Sequence, residues 1–132
     1  MFLFTGDSLE YAHVGFVIDY QNIHLTAHNL FTHNEPKQGL PPQEKGIDVL
    51  TALNFVEMAQ SGDFDLVILM THDTDLQPAL KMASRAKGVR IESAGWSGLN
   101  KLRTKEFNLF HTFITLEDFQ NSIDRKDYSK KG

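Results

Sequence analysis

The chain has 132 residues, a net charge of −4, 41% hydrophobic residues and ten phenylalanines. This composition fits one globular domain with a single apolar core, and we expect residues 1–132 to form it. Cysteine is absent, which excludes disulfides and thiolate metal sites. No apolar run reaches the roughly 18 residues of a membrane span, and the amino terminus lacks the pattern of a signal peptide, so we expect a soluble, cytoplasmic protein.

Apolar runs alternate with helical periodicities along the chain, which predicts an α/β protein with a Rossmann-like, doubly wound, mainly parallel sheet of about four strands. We expect its core to span about residues 13–120 and residues 121–132 to fray. In chain order the predicted elements are a strand over 13–19, a helix over 21–30, a helix from Gly46 to Ser61, a strand over 66–71, a helix capped by Asp75 with Pro78 in its first turn, strands over 89–95 and 108–115, and a helix over 116–128.

Apolar positions mark the inner sides of two of these helices. Leu76, Leu80 and Ala83 form the inner face of the helix after Asp75. In the second helix a partly helical apolar spacing is carried by Ile47, Leu50, Leu53, Asn54, Val56 and Met58.

Acidic residues follow the first two predicted strands. Asp19 ends the run from Val14 to Ile18, and Asp73 and Asp75 come just after the run from Leu66 to Met70. Ligands of open α/β sheets bind outside the carboxyl ends of the strands, so these carboxylates, with Asp48 of the second helix, predict a hard-cation site.

Each of these acids also has a purely structural explanation. Asp19 could cap the helix that follows it, and Asp75 could cap the next one. Asp48 lies early in a helix, where the macrodipole favours any acid. Asn22 could contact a phosphate, hold a carboxylate or satisfy the local backbone.

Basic residues concentrate in one segment in spite of the negative net charge. Between Lys81 and Lys105 a single acid, Glu92, accompanies the bases Lys81, Arg85, Lys87, Arg90, Lys101, Arg103 and Lys105. An acidic pocket beside a basic segment is typical of a protein that binds a phosphate backbone. Lys81, Arg85 and Lys87 could also be the solvated face of a helix.

Three motifs resemble a known family. VIDYQN, KGIDV and VILMTHDTDLQPAL, followed by GVRIESAGW, are similar to the D-x-x-N, KG-x-D and S-x-D-x-D motifs of the NYN domain, a branch of the PIN-like nucleases. The resemblance covers about Val14 to Thr115. It implies a ribonuclease whose Mg²⁺ or Mn²⁺ is held by catalytic acids at Asp19, Asp48, Asp73 and Asp75. It also implies an RNA substrate, and the candidate substrate-binding residues are Asn22, Lys45, Arg85, Lys101 and Arg103.

One segment departs from the family pattern. Phe31 to Glu44 contains three prolines and no alternating apolar pattern, where NYN relatives place a further strand. With that strand missing, strand one should lie at or near a sheet edge, with Phe16 and Ile18 exposed. Because an uncovered edge invites pairing, we expect a homodimer.

Histidines and the tryptophan allow two interpretations each. His24 and His28 have metal-ligand spacing, but a surface pair is favoured because no third ligand accompanies them. His72 could act as a proton donor or phosphate contact, although a tolerated loop residue is favoured. Trp96 could stack on an unpaired base, although core burial is favoured.

Three functions are compatible with these residues. The first is a metal-dependent ribonuclease, and the second is an inactive module of the same fold that binds RNA or protein. A phosphatase of the haloacid-dehalogenase type is disfavoured, because the second acid of its D-x-D-x-[TV] motif is replaced by Gln21. The chain also lacks G-x-S-x-G, G-x-x-x-x-G-K and G-x-G-x-x-G motifs.

Overall fold

The structure, a computed structural model, describes residues 12–31 and 46–122. These residues form four strands and four helices, together with a 3-10 turn at Thr74–Leu76 that leads into the third helix. In chain order the elements are β1 (Val14–Ile18), α1 (Tyr20–Phe31), α2 (Ile47–Gln60), β2 (Leu66–Met70), α3 (Gln77–Ala83), β3 (Arg90–Trp96), β4 (His111–Ile114) and α4 (Leu116–Ser122).

The four strands form one parallel sheet with the order β1-β2-β3-β4. This confirms the predicted α/β fold with a parallel sheet and flanking helices. Ile18 lies opposite Met70, and Met70 lies opposite Ala94, so β1 and β2 end at the same level. The chain therefore leaves both strands at neighbouring points, and Asp19 and Thr71 emerge side by side.

The larger core lies between α2, α3 and one face of the sheet. Val67 and Leu69 of β2 pack there with Phe55 of α2 and Leu80 of α3, and all four side chains are fully buried. The predicted inner face of α3 is confirmed, because Leu76, Leu80 and Ala83 are all buried.

In α2 the buried side chains differ from the apolar pattern of the sequence. The helix turns Thr51, Phe55 and Ala59 inward, four residues apart, and leaves Leu50 and Leu53 about 60% exposed. The large ring of Phe55 sets this orientation, since it fills the space between β2 and α3. Two leucines of the predicted apolar set are therefore surface residues.

On the opposite face of the sheet, α1 and α4 pack around Trp96 at the end of β3. The indole is 6% exposed, lies edge-on to the rings of Phe31 and Phe119, and donates its Nε1–H to the carbonyl oxygen of Ile23 at 2.9 Å. Such a ring is not free to stack on a base. Core burial of Trp96 is confirmed, and the base-stacking alternative is wrong.

Strand β1 lies at one edge of the described sheet, as the sequence predicts. It pairs with β2 alone among the described strands. Phe16 and Ile18 are 44% and 51% exposed, which confirms that these two apolar side chains lie at the surface.

Several predictions concern segments outside the described residues. These are the assignment of Lys45, the missing strand in the link after Phe31, and the frayed tail, of which residues 123–132 are not described. No helix within residues 12–31 and 46–122 is long and apolar enough to cross a membrane.

Candidate functional site

Asp19 connects the end of β1 to the start of α1. Its backbone N–H donates to the carbonyl of Met70 at 3.0 Å, which extends the β1–β2 ladder by one residue. Its Oδ1 accepts the N–H of Asn22 at 3.3 Å in the first turn of α1, a helix-capping contact. The residue is only 2% exposed. The capping interpretation of Asp19 is therefore correct, and it accounts for one of the two carboxylate oxygens.

Thr71 joins the exits of β1 and β2. Its fully buried hydroxyl lies 3.1 Å from Asp19 Oδ2 and 3.3 Å from Asn22 Oδ1, and it accepts the backbone N–H of Asp73 at 3.0 Å. A hydroxyl has one proton to donate and accepts through its lone pairs, so it can serve Asp19 and Asp73 together. Thr71 therefore fixes the first acid of β1 relative to the first acid after β2.

Asn22 ties α1 to the loop that follows β2. Its Oδ1 accepts the backbone N–H of His72 at 2.7 Å. This long-range backbone contact, which holds the loop carrying Asp73, differs from the three roles predicted for Asn22 from the sequence.

Asp73, and not Asp75, makes the capping contact in this loop. Asp73 Oδ1 accepts the N–H of Asp75 at 2.9 Å and so caps the 3-10 turn, while Asp75 is exposed. The predicted cap at Asp75 is wrong because the 3-10 turn begins two residues earlier than the predicted helix. Pro78 does lie in the first turn of α3, as predicted.

Asp48 is half-buried and lies in the first turn of α2. The helix begins after Gly46, whose φ is 92°. Among the described residues, no three His, Asp or Glu side chains lie close enough together to hold a metal ion. Asp48 and Asp75 therefore do not complete a three-carboxylate pocket with Asp19 and Asp73.

Asp19 is the most buried of the candidate ligands for the metal ion that the resemblance implies. Asp19 accepts hydrogen bonds from a hydroxyl and a backbone N–H, and within the described part of the chain no Lys, Arg or His forms an ion pair with it. Buried carboxylates are normally paired with a cation or bound to a metal. Mg²⁺ often uses only one or two protein carboxylates and keeps several waters. The carboxylates of Asp19 and Asp73, which are linked through Thr71, therefore have the ligand chemistry for a hydrated ion, whereas the described residues form no multi-carboxylate cage.

Two histidines pack over Gly95 beside the acids. His72 Nε2 accepts the backbone N–H of Trp96 at 2.7 Å, and its Nδ1 lies 3.2 Å from the carbonyl oxygen of Asn100. A neutral ring with its proton on Nδ1 satisfies both contacts. Burial lowers the pKa of His72, and the Asn100 carbonyl partly opposes this shift. His72 is thus a link between β2 and β3, and the interpretation as a tolerated loop residue is wrong.

His111 begins β4 and is 8% exposed. Its Nδ1 lies 2.7 Å from Ser93 Oγ, while its buried Nε2 has no hydrogen-bond partner among the described residues. The pKa of His111 is lowered to about 4, mainly by burial and further by electrostatic repulsion from His72 and Lys101. His111 is therefore a neutral ring near pH 7 and stands next to the candidate site without a charge.

The remaining histidine prediction concerns α1. His24 is exposed and stacks on the ring of Tyr20, with centroids 5.7 Å apart, and no three-ligand metal group includes it within the described ranges. This agrees with the favoured interpretation of His24 as a surface residue.

The basic segment is divided between the two ends of the sheet. Lys101 and Arg103 lie in the loop after β3, next to Asn100 and therefore near His72 and the acids. Arg85 follows α3 and lies at the opposite end of the sheet, where the strands begin. At that end the Arg90 N–H of β3 donates to the carbonyl of Asp65, the residue before β2. Lys81 pairs with Glu106 and Arg90 with Glu92. The structure therefore brings Lys101 and Arg103 to the acidic end, and leaves Arg85 away from it.

Two residues that shape this site, Thr71 and His111, were not predicted from the sequence. Thr71 was assigned only as the last residue of a strand, and His111 was given no role. A threonine directly after a strand and two residues before D-x-D offers a signal for Thr71, since its hydroxyl can reach the acid of the neighbouring strand and the first acid of D-x-D. Nothing local marks His111, because its contact with Ser93 crosses two strands that are 18 residues apart in the chain.

The fold and the site together define an α/β protein in which a buried carboxylate, without an ion-pair partner among the described residues, lies at the carboxyl end of a parallel sheet. No family model matches the chain, and no curated protein or solved structure matches it either. The resemblance to NYN domains therefore stays a prediction.

Proposed function

We propose that this protein is a ribonuclease that hydrolyses RNA phosphodiester bonds at a divalent metal ion held by Asp19 and Asp73. The observation that carries the proposal is the Asp19 carboxylate, which is almost completely buried and lacks a cationic partner within residues 12–31 and 46–122. A bound Mg²⁺ or Mn²⁺ would balance this charge. When bound, such an ion supplies an activated water and neutralises charge on the phosphate.

The side chains around Asp19 have supporting roles in this proposal. Thr71 and Asn22 hold the two acids and their loop in a fixed arrangement. Asp48 and Asp75 remain candidates for contacts through water. Lys101 and Arg103 lie on the loop beside His72, where they can bind the phosphates that flank the cleaved bond.

The experiment is a titration with Mn²⁺ followed by an assay with labelled single-stranded RNA. Wild-type protein should bind Mn²⁺ in calorimetry and cleave the RNA in a reaction that EDTA stops. Asp19→Asn should lose both, and Glu117→Gln should lose neither, because Glu117 is an exposed acid of α4. Unchanged Mn²⁺ binding by Asp19→Asn would contradict the assignment of the site.

A second candidate function is a module of this fold that binds RNA or protein without hydrolysis. The observation that favours it is that no three acidic or histidine side chains in the described ranges converge on one metal position. Wild-type protein that binds RNA equally well with and without Mn²⁺, and never cleaves it, would select this candidate.

A further inference from the structure

Within the described part of the chain, one side of strand β1 is not paired with another strand. The His13 carbonyl accepts the N–H of Asp65, and the Asp19 N–H donates to the carbonyl of Met70. The backbone N–H and C=O groups of the odd-numbered residues in this segment therefore point toward β2. Backbone groups alternate sides along a strand, and the N–H and C=O of Val14, Phe16 and Ile18 therefore point away from β2. No described strand pairs with them.

A groove of about 550 Å³ runs along this edge between β1 and α2. Apolar atoms come from Val17, Met58 and Phe64, and two carboxylates come from Glu57 and Asp63. Among residues 12–31 and 46–122, no basic side chain lines this groove.

We propose that this edge binds an extended segment of a partner protein in which apolar side chains alternate with lysine or arginine. The segment adds a strand to the sheet through the outward backbone groups of β1. Successive side chains of an added strand point to opposite faces. The apolar side chains of the segment pack against the exposed side chains of Phe16 and Ile18. Its basic side chains enter the groove beside α2.

The groove favours a basic side chain over any other. The aliphatic stem of a lysine or arginine can lie along Met58 and Phe64 while its charged end reaches Glu57 or Asp63. A second copy of this chain offers the same apolar row, but its β1 sequence VGFVI contains no base. It would also bring a second acidic groove to the interface, and like charges at an interface oppose binding.

The test is fluorescence anisotropy with a labelled peptide of alternating valine and lysine, compared with a peptide of alternating valine and glutamate. We expect wild-type protein to bind the lysine peptide at least about tenfold more tightly. Phe16→Pro should weaken that complex about tenfold, because it removes an outward N–H and keeps the bonds to β2. Phe16→Val, which keeps the N–H, is the matched control and should bind more tightly than Phe16→Pro.

The acidic rim is tested in the same way. The double variant Glu57→Gln, Asp63→Asn should remove the preference for the lysine peptide, while Glu117→Gln, on α4, should preserve it. Hydrogen exchange in the wild-type protein provides a measurement that needs no variant. The peptide should slow exchange at the amides of Phe16 and Ile18, whereas the amide of Val17 already bonds β2.

Three outcomes would overturn the proposal. Equal binding of the lysine peptide by wild type and Phe16→Pro, with unchanged exchange at Phe16 and Ile18, would mean that the net negative charge holds the peptide elsewhere. Self-association that Phe16→Pro abolishes, without peptide binding, would identify a second copy as the occupant. If neither peptide binding nor self-association is observed, the chain itself covers this edge.

Discussion

The hydroxyl of Thr71 donates to the buried carboxylate of Asp19 across the carboxyl ends of two neighbouring strands, at 3.1 Å. Since Ile18 lies opposite Met70, the parallel register brings the next residues, Asp19 and Thr71, side by side. The same hydroxyl accepts the N–H of Asp73. One side chain therefore sets the position of both acids that the proposed function requires.

Removing this hydroxyl should destabilise the fold. Thr71→Val keeps the volume but leaves Asp19 Oδ2 and the Asp73 N–H without their partner, and we expect a loss of about 2 kcal/mol in the free energy of unfolding. Urea denaturation measures it. Thr71→Ser keeps the hydroxyl and should lose less than Thr71→Val. Equal losses in the two variants would show that the methyl group, and not the hydrogen bonds, carries the effect.

Gly95→Ala should destabilise the fold more than Gly15→Ala. A Cβ on Gly95 would lie within 2.6 Å of His72 Cε1 and Nε2, in a ring held at both nitrogens. A Cβ on Gly15 meets the end of the flexible Met58 side chain first. We expect Gly95→Ala to cost about 3 kcal/mol and Gly15→Ala about 1 kcal/mol, which spans the usual range for overpacked cores. Thermal or urea unfolding of the two variants measures these losses. A larger loss of stability in Gly15→Ala than in Gly95→Ala would contradict the prediction.

The fold was predictable from the sequence because its strongest signals are local. The runs LVILM and VGFVI are short, apolar and followed by acids, and each forms a parallel strand. The orientation of α2 was not predictable, since Leu50, Leu53, Phe55 and Val56 offer more apolar positions than one helix face can bury. Only the tertiary fit of Phe55 decides between them.

The candidate site was predictable only in part, for a related reason. Strand register brings Asp19 close to the loop that carries Asp73, and a sequence pattern can express that register. Side-chain contacts such as Thr71 with Asp19, or His72 with Trp96, depend on distances that no spacing along the chain encodes. The division of the basic segment has the same origin, because α3 carries Arg85 away from the acids.

Stability should fall as the pH is lowered through the range in which His111 titrates. Burial lowers the folded-state pKa of His111 to about 4, whereas the unfolded chain titrates near pH 6.5. Between these values the unfolded state binds more protons, so acidification favours unfolding. The stability advantage of wild type over His111→Phe should therefore shrink between about pH 7 and about pH 4.5, as urea denaturation measures. A constant difference would contradict the lowered pKa.

Trp96 should report the aromatic core directly because it is the single tryptophan of the chain. Its burial among Phe31 and Phe119 predicts emission at shorter wavelength than free tryptophan and weak quenching by iodide. RNA should leave that emission unchanged in folded protein. A strong change in Trp96 emission on RNA binding, without unfolding, would contradict its position in the core.

Nucleic-acid binding should depend on one half of the basic segment more than on the other. Lys101 and Arg103 lie in the loop next to Asn100, whose carbonyl contacts His72, while Arg85 and Lys87 lie toward the amino ends of the strands. We expect Lys101→Gln, Arg103→Gln to reduce the salt dependence of RNA binding by roughly 1.4 in the logarithmic slope, about 0.7 for each lost phosphate contact on a single strand. Arg85→Gln, Lys87→Gln removes the same charge and is the matched control, with a smaller expected change. Both pairs are made in the Asp19→Asn background, so that cleavage cannot alter the measured affinities. Equal effects of the two pairs would mean that net charge alone, and not the position of the loop beside the acids, governs binding.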